Sequence, residues 1–312
     1  MEGDLTRTEN LTKGVQPVDN SIFQKAEILT EALPYIQKYK GKIFVIKIGG
    51  AILRIEESKK NILQDIAFLN AVGIKSVVIC GAGPVITEEL EKKGKKATFI
   101  EGLRVTDADV LEIAVEVLGQ TRDDIVKHLT EEFKTPAFAL KPEDGHIIAR
   151  KIHWQQGYEV IDLGFVGQVE NINSRIINNA LEKGVVVFAP IGISNEGQKY
   201  NINGDAVSSA VAQAVEAEKL IFISGIKGIM RNLDNPDTLI SVITADQAEN
   251  LINEEIIQGG MIPKIRGAIA GLKGGVKKVH IISGNIAHSL VLEIFTEHGI
   301  GTEIILDEPK NG

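Results

Sequence analysis

Two lysines, an aspartate, an arginine and two glycine turns are the residues of this chain whose types and spacing could do chemistry. Phe44-Val-Ile-Lys-Ile-Gly-Gly50 carries Lys47 along an apolar run and stops at two glycines, which leave backbone N–H groups with no side chain in front of them. Gly81-Ala-Gly-Pro84 repeats the design after Ile74-Lys-Ser-Val-Val-Ile-Cys80. Each turn leads into a helix, whose unpaired first amides and positive dipole end favour an anion. Arg104, within Glu101-Gly-Leu-Arg-Val-Thr-Asp107, offers a planar fork that suits a carboxylate, with a salt bridge inside the fold as the alternative. Tyr200-Asn-Ile-Asn-Gly-Asp205 supplies Asn201, Asn203 and Asp205, and Gly259-Gly-Met-Ile-Pro-Lys-Ile265 supplies Lys264. No single member decides anything, since a strand-end lysine is more often a solvated charge and loops often use glycine for geometry alone. Together they suit phosphoryl transfer, which depends on positioning and charge neutralisation more than on a protein nucleophile. A carboxylate acceptor, with an ordinary pKa of about 4.3, needs no general base. Its difficulty is repulsion from the γ-phosphate, which two lysines with glycine amides between them would relieve.

These residues must be positioned by strands and helices in alternation. Val45, Ile46 and Ile48 predict a strand buried on both faces of a parallel sheet. A helix marked by Ile55, Ile62, Ile66 and Leu69 follows, ending at Gly73, then the Ile74–Cys80 strand and a helix through Lys93. Thr106 or Asp107 caps a long helix with Val110, Ile113, Ala114, Val117 and Leu118 on its apolar side. Short strands and turns are expected over 135–170, where His146, His153 and Trp154 lack metal-ligand spacing and are assigned structural roles. A helix over 174–183 and the strand Val185–Ala189 follow, and Pro190 to Gln198 is expected to be a loop. The second α/β unit opens at Tyr200, with a small-residue helix through Ala217, the strand Leu220–Ser224 and a polar loop, Gly225 to Asp237, suited to a nucleotide rim. Helices at 246–257, from Gly259 onward and at 289–296 alternate with strands at 277–282 and 302–306. The expected fold class is α/β, a three-layer αβα sandwich with a mainly parallel central sheet, whose ligands lie beyond the strand C-termini. Before it, Ser21 and Gln24 form a capping-box pattern, and Ile22, Ala26, Leu29, Leu33 and Ile36 mark an amphipathic helix that Pro34 should kink or break. That N-terminal extension needs a partner for its apolar face, in the parent domain or another subunit.

At 312 residues with 44% hydrophobic content, the chain can bury a sizeable core. Its net charge of -8, from 42 acidic against 34 basic residues, argues against general affinity for nucleic acid or an anionic membrane. One cysteine excludes an internal disulfide framework, and the start at Met1-Glu-Gly-Asp4 lacks a secretory pattern, so a cytoplasmic protein is expected.

In order along the chain, Lys47-Ile-Gly-Gly50, Gly102-Leu-Arg-Val-Thr106, Asp162-Leu-Gly-Phe-Val-Gly167, Tyr200-Asn-Ile-Asn-Gly-Asp205, Gly259-Gly-Met-Ile-Pro-Lys264 and His280-Ile-Ile282 resemble the N-acetylglutamate kinases of the amino-acid kinase family. The similarity runs from about Ala26 to Ile305. It implies the amino-acid kinase fold and transfer of the γ-phosphoryl of ATP, with Mg2+ travelling on the nucleotide, to N-acetyl-L-glutamate in arginine synthesis. It also implies roles. Lys47 and Lys264 would stabilise the transferring phosphoryl group, and Asp205 would orient both. Gly49, Gly50, Gly81, Ala82 and Gly83 would supply amides, Arg104 would bind the α-carboxylate, and Asn201 and Asn203 would contact the substrate. Ser224, Gly225 and Gly228 would join the lysines around the nucleotide, with no all-protein metal site. Residues 1–40 would be a tail and oligomerisation helix, 41–199 an acceptor domain and 200–312 a nucleotide domain. Arginine-inhibited members carry such a helix and form hexamers as trimers of dimers. Their arginine pocket corresponds to His280, Glu293 and Gly299, which makes L-arginine the expected effector.

The chain departs from the family's pattern at four places. Cys80-Gly-Ala-Gly-Pro84 stands where His-Gly-Gly-Gly-Pro is usual, and Ala82 would slow turnover if its φ were positive. Cys80 is assigned to the core. Ser224-Gly225 replaces Thr-Asp, Ala139-Leu-Lys-Pro-Glu-Asp-Gly145 replaces a Gly-x-x-Gly-Lys-Asp-Gly segment, and Asn203-Gly-Asp205 replaces Asn-Ala-Asp. The altered rim leaves open a kinase for another acylated amino acid, such as N-succinylglutamate or an aminoadipate derivative. A non-catalytic arginine sensor is the third reading.

Overall fold

The computed structural model describes residues 20–156, 159–232, 235–297 and 299–307. An eight-stranded sheet forms its centre. From one edge the strands run Val242–Thr244, Thr302–Ile305, Lys278–Ser283, Lys219–Ser224, Ile43–Ile48, Lys75–Cys80, Val185–Phe188 and Ala137–Ala139. Neighbours are parallel except where Thr302–Ile305 runs antiparallel to Lys278–Ser283. Apart from Ile43, Lys47 and Lys75, the strands Ile43–Ile48 and Lys75–Cys80 are buried, as a β-branched run covered on both faces must be. Side chains alternate between two cores: Phe44, Ile46, Ile48, Cys80 and Ile223 face one, while Val45, Ile79 and Phe222 face the other. Lys47 pairs with Phe222 and Ile79 in register, so strand alternation puts its side chain on their face.

The first core is closed by the helices Asn20–Tyr39, Glu56–Ala71, Gly83–Lys92, Ala108–Lys127 and Ser289–Phe295. The second is closed by Ser174–Leu181, Gly204–Ala214, Ala245–Asn253 and Met261–Lys273. The αβα sandwich expected from the strand and helix alternation is therefore present. The loop expected over Pro190 to Gln198 contains a strand, Ile191–Ile193. With Lys199–Ile202, Val166–Ile172 and Ile147–Lys151 it forms a small closed barrel. The barrel also takes Tyr200, Asn201 and Ile202 out of the expected second unit.

Other boundaries differ for local reasons. The helix after the first glycine turn is split into Gly50–Leu53 and Glu56–Ala71, with Ile55 between them, extended and 46% exposed rather than on the apolar face. Pro34 lies inside an uninterrupted helix, and the side chains of the Ser21/Gln24 pattern and of Ile22, Ala26 and Leu29 lie outside the described ones. The helix expected to reach Ile257 stops at Asn253, where Glu255 takes φ 57, a left-handed helix end. The strand Val242–Thr244 carries no clear sequence signal. Its central residue, Ile243, is the buried one. No helix among the described residues is long and apolar enough to cross a membrane.

Candidate active site

The two glycine turns lie back to back at the C-terminal ends of adjacent strands. A Cβ on Gly50 would come within 2.7 Å of Ala82 Cα, and one on Gly81 within 3.1 Å of Gly50 N. Backbone occupies both spaces, which excludes a side chain at Gly50 and leaves only a tight fit at Gly81. Five amides of these turns, from Gly49, Gly50, Gly81, Ala82 and Gly83, are expected to face ligand, but Gly49 N–H donates to Ile223 O at 2.9 Å and Gly81 N–H to Ile48 O at 2.9 Å. Those two extend the sheet instead. Gly50 and Gly83 begin their helices, so their N–H groups have no acceptor within the helix. Ala82 has φ −141 and its side chain is in the core, so its methyl group imposes no left-handed strain.

Asp205 sits in the first turn of Gly204–Ala214, where Asn203 caps the helix through Oδ1, accepting from the amides of Asp205 at 2.9 Å and Ala206 at 3.1 Å. That helix packs closely on Met261–Lys273: Ser209 Oγ donates to Gly267 O at 2.8 Å, and a Cβ on Gly267 would be 3.3 Å from that hydroxyl. The packing brings Lys264 Nζ to 3.2 Å from both carboxylate oxygens of Asp205, while Lys47 Nζ approaches Oδ1 at 2.9 Å from the sheet. A buried carboxylate thus holds two ammonium groups. Burial opposes its charge, but Lys47 and Lys264 outweigh that and hold it below the usual carboxylate range. Burial, and then repulsion from Lys47, depress Lys264 to about 8 despite Asp205. Lys264 Nζ also lies 4.9 Å from the Phe222 ring centroid.

Two cavities meet this clamp. The one on the Lys47 side, about 280 Å³, is lined by Gly50, Gly81, Ala82, Gly83, Arg104, Asn201 and Asn203 among others. Arg104 is 8% exposed. Its Nη2 donates to Gly83 O and Thr87 Oγ1, both at 2.9 Å, and its Nη1 is buried with no partner. Among the described residues no carboxylate lies within 4.0 Å of it, so the salt bridge that was the alternative is not formed. Burial lowers its pKa. Phe99, absent from the expected site, stacks over the guanidinium at 4.6 Å; a lone aromatic before a turn gives no sequence signal. Thr106 also joins the site. Its hydroxyl donates to Arg104 O at 2.7 Å and accepts from Asn201 Nδ2 at 3.2 Å. Its backbone pairs with Leu163 and Phe165, and Gly164 has φ 73 with no room for a side chain beside Thr106 O. Asp107, not Thr106, caps the following helix, accepting from Val110 N at 2.8 Å.

The other cavity, about 480 Å³, opens on the Lys264 side, with Ile226, Ile229, Met230, Ile256, Ile257 and Met261 as apolar walls and Ser224, Gly225 and Gly228 on its rim. Ser224 Oγ is buried without a partner. A side chain on Gly228 would collide with Thr302 Oγ1, which gives that glycine a packing reason as well.

The family model for the amino acid kinase family matches residues 42–283. The chain belongs to this family. Among similar members, an acetylglutamate kinase from Methanocaldococcus jannaschii is 45% identical over 294 residues, covering 92% of this chain and 98% of that protein. One from Aquifex aeolicus is 40% identical over 300 residues, covering 92% and 100%. Of the solved structures, an N-acetylglutamate synthase from Neisseria gonorrhoeae, complexed with coenzyme A and N-acetyl-glutamate, aligns at TM-score 0.82 and 29% identity, covering 91% of this chain. The chain spans 64% of that synthase's length. Carbamate kinase from Giardia lamblia shares the amino acid kinase fold at TM-score 0.60 and 18% identity, covering 86% of this chain.

His280, Glu293 and Gly299 come together on the far side of the sheet. His280 Nδ1 lies 2.7 Å from Glu293 Oε1, and Lys219 Nζ lies 2.7 Å from its Nε2. Lysine has only donors to offer, so Nε2 accepts and Nδ1–H donates to Glu293. Glu293 Oε2 takes the amides of Ile300 and Gly301, and a Cβ on Gly299 (φ 59) would fall 2.8 Å from it. Burial opposes the Glu293 charge, and His280 with these amides outweighs it. Lys219, depressed to about 8 by burial, lies 5.3 Å from the ring of Tyr39, the last residue of the N-terminal helix. Of the residues assigned structural roles, Cys80 and His146 lie in the core, His153 is exposed, and the side chain of Trp154 lies outside the described ones. Cys80 is buried with its thiol pushed up to about 12 by desolvation, and buried His146, lowered to about 4 by desolvation, packs edge-on to Phe188.

Proposed function

We propose that this chain is an acetylglutamate kinase, transferring the γ-phosphoryl group of ATP to the side-chain carboxylate of N-acetyl-L-glutamate in arginine biosynthesis. The observation that carries the reading is Arg104, a buried cation without a counter-charge in the same cleft as Lys47. An uncompensated buried charge persists where a ligand of opposite sign completes it. The substrate's α-carboxylate fills that place, Asn201 and Asn203 contact the acylated nitrogen end, and the side-chain carboxylate faces the amides of Gly50, Ala82 and Gly83. A carboxylate oxygen bonds to Pγ as the bond from Pγ to the β,γ-bridging oxygen breaks, leaving ADP. Lys47 and Lys264, held by Asp205, offset the charge repulsion, and no proton need move from the acceptor. The nucleotide lies in the apolar cavity with its phosphates toward Lys264, against Ser224, Gly225 and Gly228. Mg2+ would be carried by the nucleotide, since Asp205, the carboxylate of the clamp, is committed to the two lysines. The acceptor lobe runs from residue 41 through the barrel strand Lys199–Ile202, and the nucleotide lobe follows it, in this cytoplasmic enzyme.

The cleft also bears on the acyl group. Its lining cations are Lys47, paired with Asp205, and Arg104. N-succinylglutamate would bring a further carboxylate with no cation left for it, so the uncharged acetyl group fits better. A sensor without catalysis would not need the buried clamp. Incubation with ATP, Mg2+ and hydroxylamine should give a hydroxamate with N-acetyl-L-glutamate, and none with N-succinyl-L-glutamate or N-acetyl-L-2-aminoadipate above a few per cent. No product with any of them would overturn the reading in favour of a sensor.

Feedback by L-arginine and assembly as a hexamer belong to the same proposal. His280, Glu293 and Gly299 adjoin the end of the N-terminal helix through Lys219 and Tyr39, where a ligand could bias subunit packing. A Neisseria gonorrhoeae N-acetylglutamate synthase structure, similar at 28% identity and TM-score 0.81, is a complex with coenzyme A and L-arginine. Unchanged activity at millimolar arginine would refute the feedback, and a strictly dimeric mass in solution would refute the hexamer.

A further inference from the structure

Arg104 is carried by a hairpin that stands apart from the rest of the fold. Phe99–Ile100 and Leu103–Arg104 pair only with each other among the described strands. They are joined by Glu101 at φ 48 and Gly102 at φ 78, the two left-handed positions of a tight two-residue turn. Phe99 is 52% exposed although it covers the Arg104 guanidinium. The hairpin is tied to the fold at Arg104, through the bonds of its guanidinium to Gly83 and Thr87 and through the Thr106 hydroxyl on its carbonyl.

Its tip faces the helix that carries Lys264. A methyl group built on Gly102 would lie 3.7 Å from Pro263 Cγ, so a gap of about one carbon separates the acceptor hairpin from the residue next to the clamp lysine. That helix is entered through Gly259, at φ 56, and Gly260, both with open space where a side chain would be, and no side chain caps it.

We propose that Pro263 is a positioning residue. When the acceptor carboxylate pairs with Arg104, the hairpin tip closes the gap onto Pro263 and sets Lys264, its neighbour, for the nucleotide phosphates. Acceptor and nucleotide then bind with mutual dependence, since each favours the seated hairpin, and linkage requires the effect to be reciprocal. The inference rests on the kinase reading above and adds a route by which one lobe senses the other.

Calorimetric titration of a non-hydrolysable ATP analogue, with and without saturating N-acetyl-L-glutamate, tests it. In the wild-type protein the acceptor should tighten the analogue about fivefold or more, within the ordinary range of such coupling. Pro263→Ala, which favours the helix and removes the ring, should bind each ligand alone as the wild type does but lose the coupling. Pro263→Val, which keeps a γ-carbon toward Gly102, should recover part of it. Independent binding of the two ligands to the wild type, or coupling in Pro263→Ala within twofold of wild type, overturns the proposal and leaves the kinase reading standing. Failure of the wild type to bind either ligand overturns both.

Discussion

Replacing Lys264 with methionine should stabilise the protein while removing its activity. Methionine matches the lysine stem in length and removes only the ammonium group, so the helix and the Phe222 contact survive. The depression of Lys264 from 10.5 to about 8 corresponds to about 3 kcal/mol between its charged and neutral forms, at about 1.4 kcal/mol per pH unit. Below pH 8 the lysine is charged in both folded and unfolded chains, so the fold carries the whole penalty. Between about 8 and 10.5 the unfolded chain keeps a proton that the folded one releases, so this group's contribution to stability rises with pH. Part of the gain in Lys264→Met is returned, because Asp205 keeps Lys47 but loses one of its two partners. A net gain of about 1–2 kcal/mol at pH 7 is expected, seen as a thermal midpoint a few degrees higher. Hydroxamate formation should fall by about 10²–10³-fold or more, the usual cost of losing a preorganised group at a developing charge. Urea denaturation of both proteins at pH 7 and pH 10, beside the activity assay, decides the matter. A variant less stable at pH 7, or a gain of the same size at pH 10, would refute the reasoning.

In the wild type, kcat/KM should fall as pH rises through about 8, because Lys264 works as a cation and the free enzyme's pKa governs that parameter; a profile flat to pH 9.5 would contradict it. Arg104→Met should raise the KM for N-acetyl-L-glutamate by about 10²-fold through the lost charged contacts, with the KM for ATP rising only by the roughly fivefold that loss of the acceptor–nucleotide coupling implies, and initial-rate kinetics would separate the two. Asp65, 1% exposed, accepts from the amides of Leu290 and Val291 and lies 2.7 Å from His288 Nδ1. Asp65→Ala should therefore cost about 1–3 kcal/mol, because it leaves the amides of Leu290 and Val291 without their acceptor; an unchanged urea midpoint would contradict it.

The ionic centre was legible only as an ordered set, since no member has one reading alone: Lys47 at the end of a β-branched run, Asp205 after a capping asparagine, Lys264 after a glycine pair and proline. What could not be seen was which amides were free. Gly49 and Gly50 look alike in sequence, but pairing with Ile223 in a strand 174 residues later consumes one and leaves the other. The barrel strand Ile191–Ile193 escaped notice because three residues with a central glycine carry no periodicity, and that glycine is set by contacts with Ala149 and Ile202. The alternation of apolar strands and helices gave the layers, but Phe99 and Thr87 could be placed beside Arg104 only by the fold. The Ala82 question turned on a dihedral angle, which composition does not contain.

The chain's single thiol has a practical consequence. Cys80 is sealed in the core, its proton held well above physiological pH, and the thiolate is the species that alkylating and oxidising agents attack. The folded enzyme should therefore be indifferent to cellular redox state and nearly invisible to maleimide reagents. A Glu101→Cys substitution at the hairpin tip would then take up a fluorophore at one place without any prior removal of native cysteine, so that the movement of a two-residue turn could be followed optically.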